Sequence, residues 1–348
     1  MIPRSGDAYP RVSVVIPVRD ELHRLPEVLA RLEQQTWQPS EVIVADGCST
    51  DGSREWLARA AEERPWLTVV DNLDRTVPTA MNAALAAATG DFVARMDAHA
   101  DYAPDHLETL VKVLLQRPHV VSAGGAMASA GKGPWGRAIA SSLSRRIGLG
   151  GARHRVGGTG GPIEHVFTGC YRRSALIDAG GFDERLLANE DFEMDTRLRE
   201  RGGIVWLEPV VTSTWYVRDS PPKLAKQMFR YGHYKALTLY LHPHSLKLRQ
   251  LAPPGLIAGL LLLLVGRPAV GALATLGYLA VAAGAGAAAA HADGHSAARG
   301  ALVPPVLHLS WGAGLLIGLV RFLGRPRPVG TFARSRVSGD DEVTVWAA

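Results

Sequence analysis

In GDFVARMDAHAD, Gly90 to Asp101, an apolar run ends in Asp97, and His99 follows after a single alanine. Side chains alternate along an extended chain, so Asp97 and His99 would point the same way if the chain stays extended. A carboxylate oxygen and an imidazole nitrogen presented together can ligate a divalent cation. The same pair also suits a polar strand end entering a loop. A second group lies in LANEDFEMDTRLRERGG, where Glu190 and Asp191 open a helical pattern and Leu198 continues the Asp191 face. Acidic residues there fit a helix start favoured by the dipole, and they also fit a general base. A third group, Gln227, Arg230 and Tyr231 in KQMFRY, would share one face of a helix.

Positioning these groups requires a scaffold, and its elements can be read from the N-terminus. RVSVVI, ended by Pro17, reads as a buried strand, and Leu22, Leu25, Val28, Leu29 and Leu32 then recur at helical spacing. EVIVADG is a second strand broken at Asp46-Gly47, with Ser49 a helix cap before Trp56 and Leu57. LTVVD is a third strand. PTAMNAALAAATG opens a helix at Pro78 and closes it at Gly90, and DFVARMD is the fourth strand. Alternation at this tempo predicts an α/β fold with a mainly parallel sheet flanked by helices. Ligands on such sheets bind outside the carboxyl ends of the strands. Asp20, Glu21, Asp46, Asp71, Asp74, Asp97 and His99 all follow strand ends. After the first strand comes PVRDEL, with neither Gly-x-Gly-x-x-Gly nor a Walker lysine, so phosphates are not held as in dinucleotide or P-loop proteins. An acidic site that must hold a diphosphate needs a cation, and Asp97 and His99 can supply ligands.

The chain has 348 residues, is 47% apolar and carries a net charge of +5. Arg145, Arg146, Arg153 and Arg155 share a Gly-rich loop, and Lys223, Lys226, Arg230, Lys235, Lys247 and Arg249 precede the most hydrophobic part. Such spacing suits phosphates or a lipid surface better than nucleic acid, for which no motif is present. Cys48 and Cys170 show no pairing pattern, which points to a reducing compartment, and the N-terminus has no apolar signal core. Pro253–Gly266 is apolar but about half a bilayer-crossing length, whereas Pro268–Ala290 and Ala301–Gly324 are long enough to span. Arg325, Arg327, Arg334 and Arg336 favour a cytosolic tail and hence an even number of crossings, two rather than three.

The ordered stretches VSVVIPVRDE, VIVADGCSTDGS, TAMNAALAAATGDFVARMDAHAD, VFTGCYRRSALIDAGGFDE, NEDFEMDTRLRERG and QMFRY resemble the family 2 glycosyltransferases over roughly residues 10 to 235. RMDAH followed by a membrane region is most similar to succinoglycan-type exopolysaccharide glucosyltransferases. The resemblance implies the GT-A nucleotide-diphospho-sugar transferase fold and inverting transfer from a UDP-sugar, possible donors including UDP-glucose. Its acceptor would be a lipid-linked saccharide or nascent polysaccharide. It implies nucleotide-sugar contacts from Pro17, Glu21, Asp46, Asp51, Asn82 and Asp97. Asp97 and His99 depart from the family's Asp-x-Asp, and as ligands they would admit Mn²⁺ as readily as Mg²⁺. Asp101 would be a helper behind that pair or a solvated loop carboxylate.

By the same resemblance Asp191 is the catalytic base, Glu190 orients it or the acceptor, and Thr168, Gly169 and Cys170 floor the acceptor site. Gln227, Arg230 and Tyr231 match a Gln-x-x-Arg-Trp signature with Tyr for Trp, and would contact diphosphate and acceptor sugar. The basic loop 145–162 would close over phosphates, and His233, His242 and His244 would be surface or interface residues. The implied layout is a tail (1–9), a catalytic domain (10–222), a basic amphipathic interface region (223–250), apolar helices (251–324) and a cytosolic tail (325–348). The expected location is the inner or plasma membrane with the catalytic domain in the cytosol, among lipids and other polysaccharide-assembly proteins. Two other readings are a polyprenyl-phosphate sugar synthase, whose ionised acceptor needs no base, and a non-catalytic membrane adaptor of the same fold.

Overall fold

The computed structural model describes residues 10–145, 148 and 159–322. The N-terminal tail, the end of the chain and most of the basic loop 145–162 lie outside these residues. Among the described residues, contacts divide the chain into two units: 10–127 and 159–213 form one, and 128–145, 148 and 214–322 the other. Each is described by itself.

In chain order the first elements are β1 (Val12–Val18), α1 (Leu25–Glu33), β2 (Glu41–Asp46), α2 (Ser53–Glu63), β3 (Leu67–Asp71) and α3 (Val77–Ala87). They are followed by β4 (Phe92–Arg95), β5 (Ala100–Tyr102), α4 (His106–Gln116), β6 (Val120–Ala130) and α5 (Gly133–Leu143). Next come β7 (Gly161–Pro162), β8 (Cys170–Arg172), α6 (Arg173–Asp178), α7 (Glu190–Glu200) and β9 (Ile204–Tyr216). The strands form a sheet in the order β3-β2-β1-β4-β8-β6-β9-β5, with β7 on β9.

Strands β1 to β4 pair in parallel, whereas β8 is antiparallel to both β4 and β6, and β7 to β9. The sheet is therefore mixed: the expected parallel arrangement holds for its first half only. Alternate residues of β1 feed opposite layers. Val12, Val14 and Ile16 pack with Leu25, Leu29 and Leu32 of α1 and Leu107 and Leu110 of α4. Val15 packs with Ile43, with Met81 and Leu85 of α3, and with Met194 and Leu198 of α7. Covering both faces explains why these strands are continuously apolar.

Two local expectations change. Strand β1 runs through Pro17 to Val18 rather than stopping. Its pairing with β4 ends at Val15 opposite Arg95, so no neighbouring strand misses the proline's N–H. Ser49 does not cap α2. Its hydroxyl accepts from the Asp20 N–H at 2.9 Å, and Asp51 receives the first helical N–H, from Ser53, at 3.0 Å.

The second unit is helical: α5, then α8 (Pro221–Leu241), α9 (Ala252–Gly266), α10 (Pro268–Ala292) and α11 (Ala297–Phe322). Helix α8, read as part of a basic interface region, packs on α11 through glycines. A Cβ on Gly232 would come within 2.0 Å of the Trp311 carbonyl oxygen, and one on Gly314 within 2.1 Å of that of Phe229. Backbones this close are the reason for small residues in such seams. Among the described residues, three helices are long and apolar enough to cross a membrane. The first apolar run reaches that length, 19 residues, because helical turns extend it back to Leu248. Leu261, Leu262, Leu273 and Leu276 are exposed to the surroundings. His242, expected at a surface or interface, is buried.

Candidate active site

Strand β4 delivers Arg95 and then Asp97 to the carboxyl end of the sheet, and Arg95 is the hub. Its Nε donates to Asp97 Oδ1 at 2.7 Å, its Nη2 to Asp97 Oδ2 at 3.2 Å, and its Nη1 to Glu190 Oε1 at 3.0 Å. All three side chains are buried, with Arg95 and Glu190 7% and Asp97 3% exposed. Burial alone would raise the Asp97 carboxyl, but Arg95 and then His99 outweigh it and hold it below the usual range. Glu190 is pushed up, by burial first and then by Asp191, against the pull of Arg95. The Asp97 backbone N–H donates to the Tyr102 hydroxyl at 2.8 Å, which fixes the turn.

Helix α7 begins after Asn189, whose φ of 63° turns the chain sharply into the helix. Glu190 and Asp191 therefore occupy its first turn. Asp191 Oδ1 accepts from the Phe192 N–H at 2.7 Å. Its Oδ2 lies 3.6 Å from Nε2 of His165, whose Nδ1 is 2.8 Å from Oδ2 of Asp195. That Asp195 oxygen also accepts from the Val166 N–H at 3.1 Å. Burial pushes the Asp195 carboxyl up, with His165 opposing.

Sequence reasoning missed Arg95, His165 and Asp195. Asp195 follows Asp191 by four residues, which puts both on one helix face and was a usable signal. A lone histidine in a loop gave none.

At the other strand ends, Asp46 closes β2 and is fully buried. Its Oδ2 accepts from the Ser49 N–H at 3.2 Å, and its Oδ1 is buried with no hydrogen-bond partner. Arg54 Nη1 is 3.8 Å from Asp46, while Nη2 pairs at 3.0 Å with Asp71, the neighbour of Asp46 in register. An unpaired buried carboxylate oxygen is costly unless a ligand donor meets it.

The other expected residues have these contacts. Asp51 also accepts from the Leu22 N–H, and Glu21 pairs with Arg24 at 3.5 Å. Asn82 donates to the Phe182 carbonyl and to Glu184, both at 2.9 Å, and accepts from the Phe182 N–H at 2.7 Å. Its amide thus ties α3 to the loop before α7. Asp101 lies in β5 and pairs with Arg31, so it is not a free loop carboxylate. Pro17 is half-buried in β1. Thr168 is buried with φ of 47°, and the Gly169 carbonyl accepts from the Arg95 N–H at 3.1 Å. That bond sets both residues beside the hub. In the second unit Gln227 is buried, donates to the Tyr231 hydroxyl at 3.1 Å, and Arg230 is exposed.

His99 is exposed beside buried Asp97. Among the described residues no three His, Cys, Asp or Glu side chains form a cage for an ion. The donor set thus fits a divalent cation that brings further oxygens with it, as a diphosphate does, and does not fit a resident ion held by protein alone. Each Asp97 oxygen has two acceptor positions, so bonding to Arg95 leaves one for a metal.

The profile of glycosyl transferase family 2 matches residues 13–180. The succinoglycan biosynthesis protein ExoA of Rhizobium meliloti (strain 1021) is 33% identical over 326 residues, 90% of this chain and 96% of that protein. A dolichyl N-acetyl-α-D-glucosaminyl phosphate 3-β-D-2,3-diacetamido-2,3-dideoxy-β-D-glucuronosyltransferase of Methanococcus voltae is 24% identical over 66% of this chain and 74% of its own length. The solved mannosyltransferase PcManGT from Pyrobaculum calidifontis, in complex with GDP-Man and Mn²⁺, is similar with a TM-score of 0.57 at 26% identity. That match covers 91% of this chain and 88% of PcManGT. A mixed sheet of GT-A type, Asp97 and Glu190 gathered on Arg95 and kinship along nearly the whole chain lead to one conclusion: this protein belongs to the family 2 glycosyltransferases.

Proposed function

We propose that the chain transfers a sugar, with inversion, from a UDP-sugar to a lipid-linked saccharide or nascent polysaccharide at the cytosolic face of a membrane. The observation that carries this reading is the Arg95 bridge. It gathers Asp97, on the donor side, and Glu190 beside Asp191, on the acceptor side, into one buried cluster. The unpaired Oδ1 of Asp46 suits a ring N–H of a nucleobase, which uracil and guanine offer in their common form and cytosine, with only its exocyclic amine, does not. Three carboxyls, Asp97, Glu190 and Asp191, act on a single guanidinium, so a diphosphate needs added positive charge there.

Asp97 and His99 would hold a divalent cation, Mn²⁺ or Mg²⁺, which when bound neutralises the departing diphosphate. Asp191, the more accessible of the two acids opening α7, takes the proton of the acceptor hydroxyl as its oxygen attacks the anomeric carbon. The name of the Rhizobium relative supports a polysaccharide pathway. Three apolar helices support a membrane setting, in which lipid-borne acceptor and enzyme meet on one surface.

Membranes containing the protein, offered a panel of UDP- and GDP-sugars, should incorporate sugar from one UDP-sugar into lipid-extractable or polymeric product, weighed by mass spectrometry. Asp191→Asn should lower that transfer by about 10²-fold or more. Wild-type turnover in this variant would reject Asp191 as the base and favour an acceptor that is already ionised, such as a polyprenyl phosphate. Transfer from GDP-sugars alone would reject the uridine donor.

A further inference from the structure

We propose that His165, oriented by Asp195, is a positioning residue that relieves Asp191 of the acceptor's proton and passes it to solvent. This rests on the reading of Asp191 as the base.

The tautomer follows from hydrogen bonding. Asp195 Oδ2 already accepts from the Val166 N–H, so it acts as an acceptor toward His165 Nδ1 at 2.8 Å as well. The ring proton therefore sits on Nδ1, and the lone pair of Nε2 faces Asp191 Oδ2. Their separation of 3.6 Å exceeds hydrogen-bond reach, and one water or a small side-chain rotation closes it. A carboxylate that fixes an imidazole from behind, with a second carboxylate in front, stabilises the imidazolium once the proton arrives.

Among the described residues, several charged or titratable groups pack around this ring. Helix α7 contributes Asp191 and Asp195, with the Phe192 ring edge-on at 5.8 Å. Arg199 is directed to the Glu164 carbonyl at 3.2 Å, just before the histidine. On β8, Tyr171 feels both aspartates and Arg95, and burial with those aspartates holds its hydroxyl protonated. The His165 side chain is 13% exposed, enough for water to reach it.

The acceptor O–H bond breaks as its oxygen bonds the anomeric carbon, and the nucleoside diphosphate leaves with the electron pair of the broken C–O bond. The proton goes to Asp191 Oδ2, then to His165 Nε2, then to water.

The test uses the full chain in membranes, with radiolabelled UDP-glucose or the sugar nucleotide selected by the panel above. His165→Ala should lower kcat by about 10- to 100-fold with the donor KM nearly unchanged, and added imidazole should restore several-fold of the loss. His165→Gln keeps a donor toward Asp195 without a titrating nitrogen. It should fold even where the alanine variant does not, lose kcat similarly, and move the acidic limb of the pH profile. Full kcat and an unshifted profile in His165→Gln would overturn the proposal, as would a loss in His165→Ala that imidazole leaves untouched. Asp191→Asn separates the two readings. If it is inactive while both His165 variants are normal, the relay alone fails; if it is fully active, base and relay fail together.

Discussion

Arg95→Met removes the guanidinium that both Asp97 and Glu190 depend on. Losing one partner from a buried ion pair costs about 3–5 kcal/mol, because the remaining charge is stranded away from water. Here two carboxyls are stranded, 3% and 7% exposed, yet the cost should not double. Glu190 is already pushed toward protonation by burial and by Asp191, so it escapes by taking a proton. Asp97, held ionised chiefly by Arg95, bears most of the penalty. At about 2–4 °C per kcal/mol for a domain of this size, the melting temperature should fall by on the order of 10 °C. Arg95→Lys, with one ammonium for two carboxylates, should fall in between. Adding Glu190→Gln to Arg95→Met should cost less than Glu190→Gln does alone, since its partner has already gone. Thermal unfolding of the protein in lipid nanodiscs, followed through its 8 tryptophans, measures all of this. A melting temperature within about 2 °C of wild type would refute the view that Arg95 organises the site.

Three further outcomes are expected. Excess chelator, or His99→Ala, should abolish metal-dependent UDP affinity and transfer while leaving the melting temperature unchanged, because exposed His99 carries no core packing; full turnover in chelator would contradict the cation's role. Burial pushes His106 from 6.5 down to about 4, so the unfolded chain binds a proton that the folded chain refuses between these values. Stability should therefore be complete above about pH 6.5 and fall by about 3 kcal/mol toward pH 4. His106→Leu should flatten that slope in melting curves taken at both ends, and an unchanged slope would count against it. Gly232→Leu drives a side chain into the Trp311 carbonyl and should cost at least about 1–3 kcal/mol, read as lower detergent stability of the helical unit; an unaffected variant would argue against the glycine seam.

The order of strands and helices in the first half of the chain was legible because its signals are local. Val12, Val14 and Ile16, the Asp46-Gly47 break and Pro78 each declare an element within a few residues. The strand-end carboxylates followed from that order, since parallel strands deliver their carboxyl ends to one edge. The long apolar runs were equally plain, apart from the first, whose helix gains its length from turns that look polar in sequence.

The antiparallel second half, Arg95, His165 and the true employment of Asn82 were decided only by tertiary structure. In FVAR, Arg95 looked like an ordinary strand position. Its meaning depends on Glu190, brought beside it by the packing of α7 on the sheet. His165 likewise acquires a role only because Asp191 and Asp195 project from that helix toward it. Periodicity and turn chemistry act over a few residues and are written in the sequence directly. Pairing between charges far apart in the chain is set by where the packed core brings them, and the desolvation that gives such pairs their strength exists only after folding.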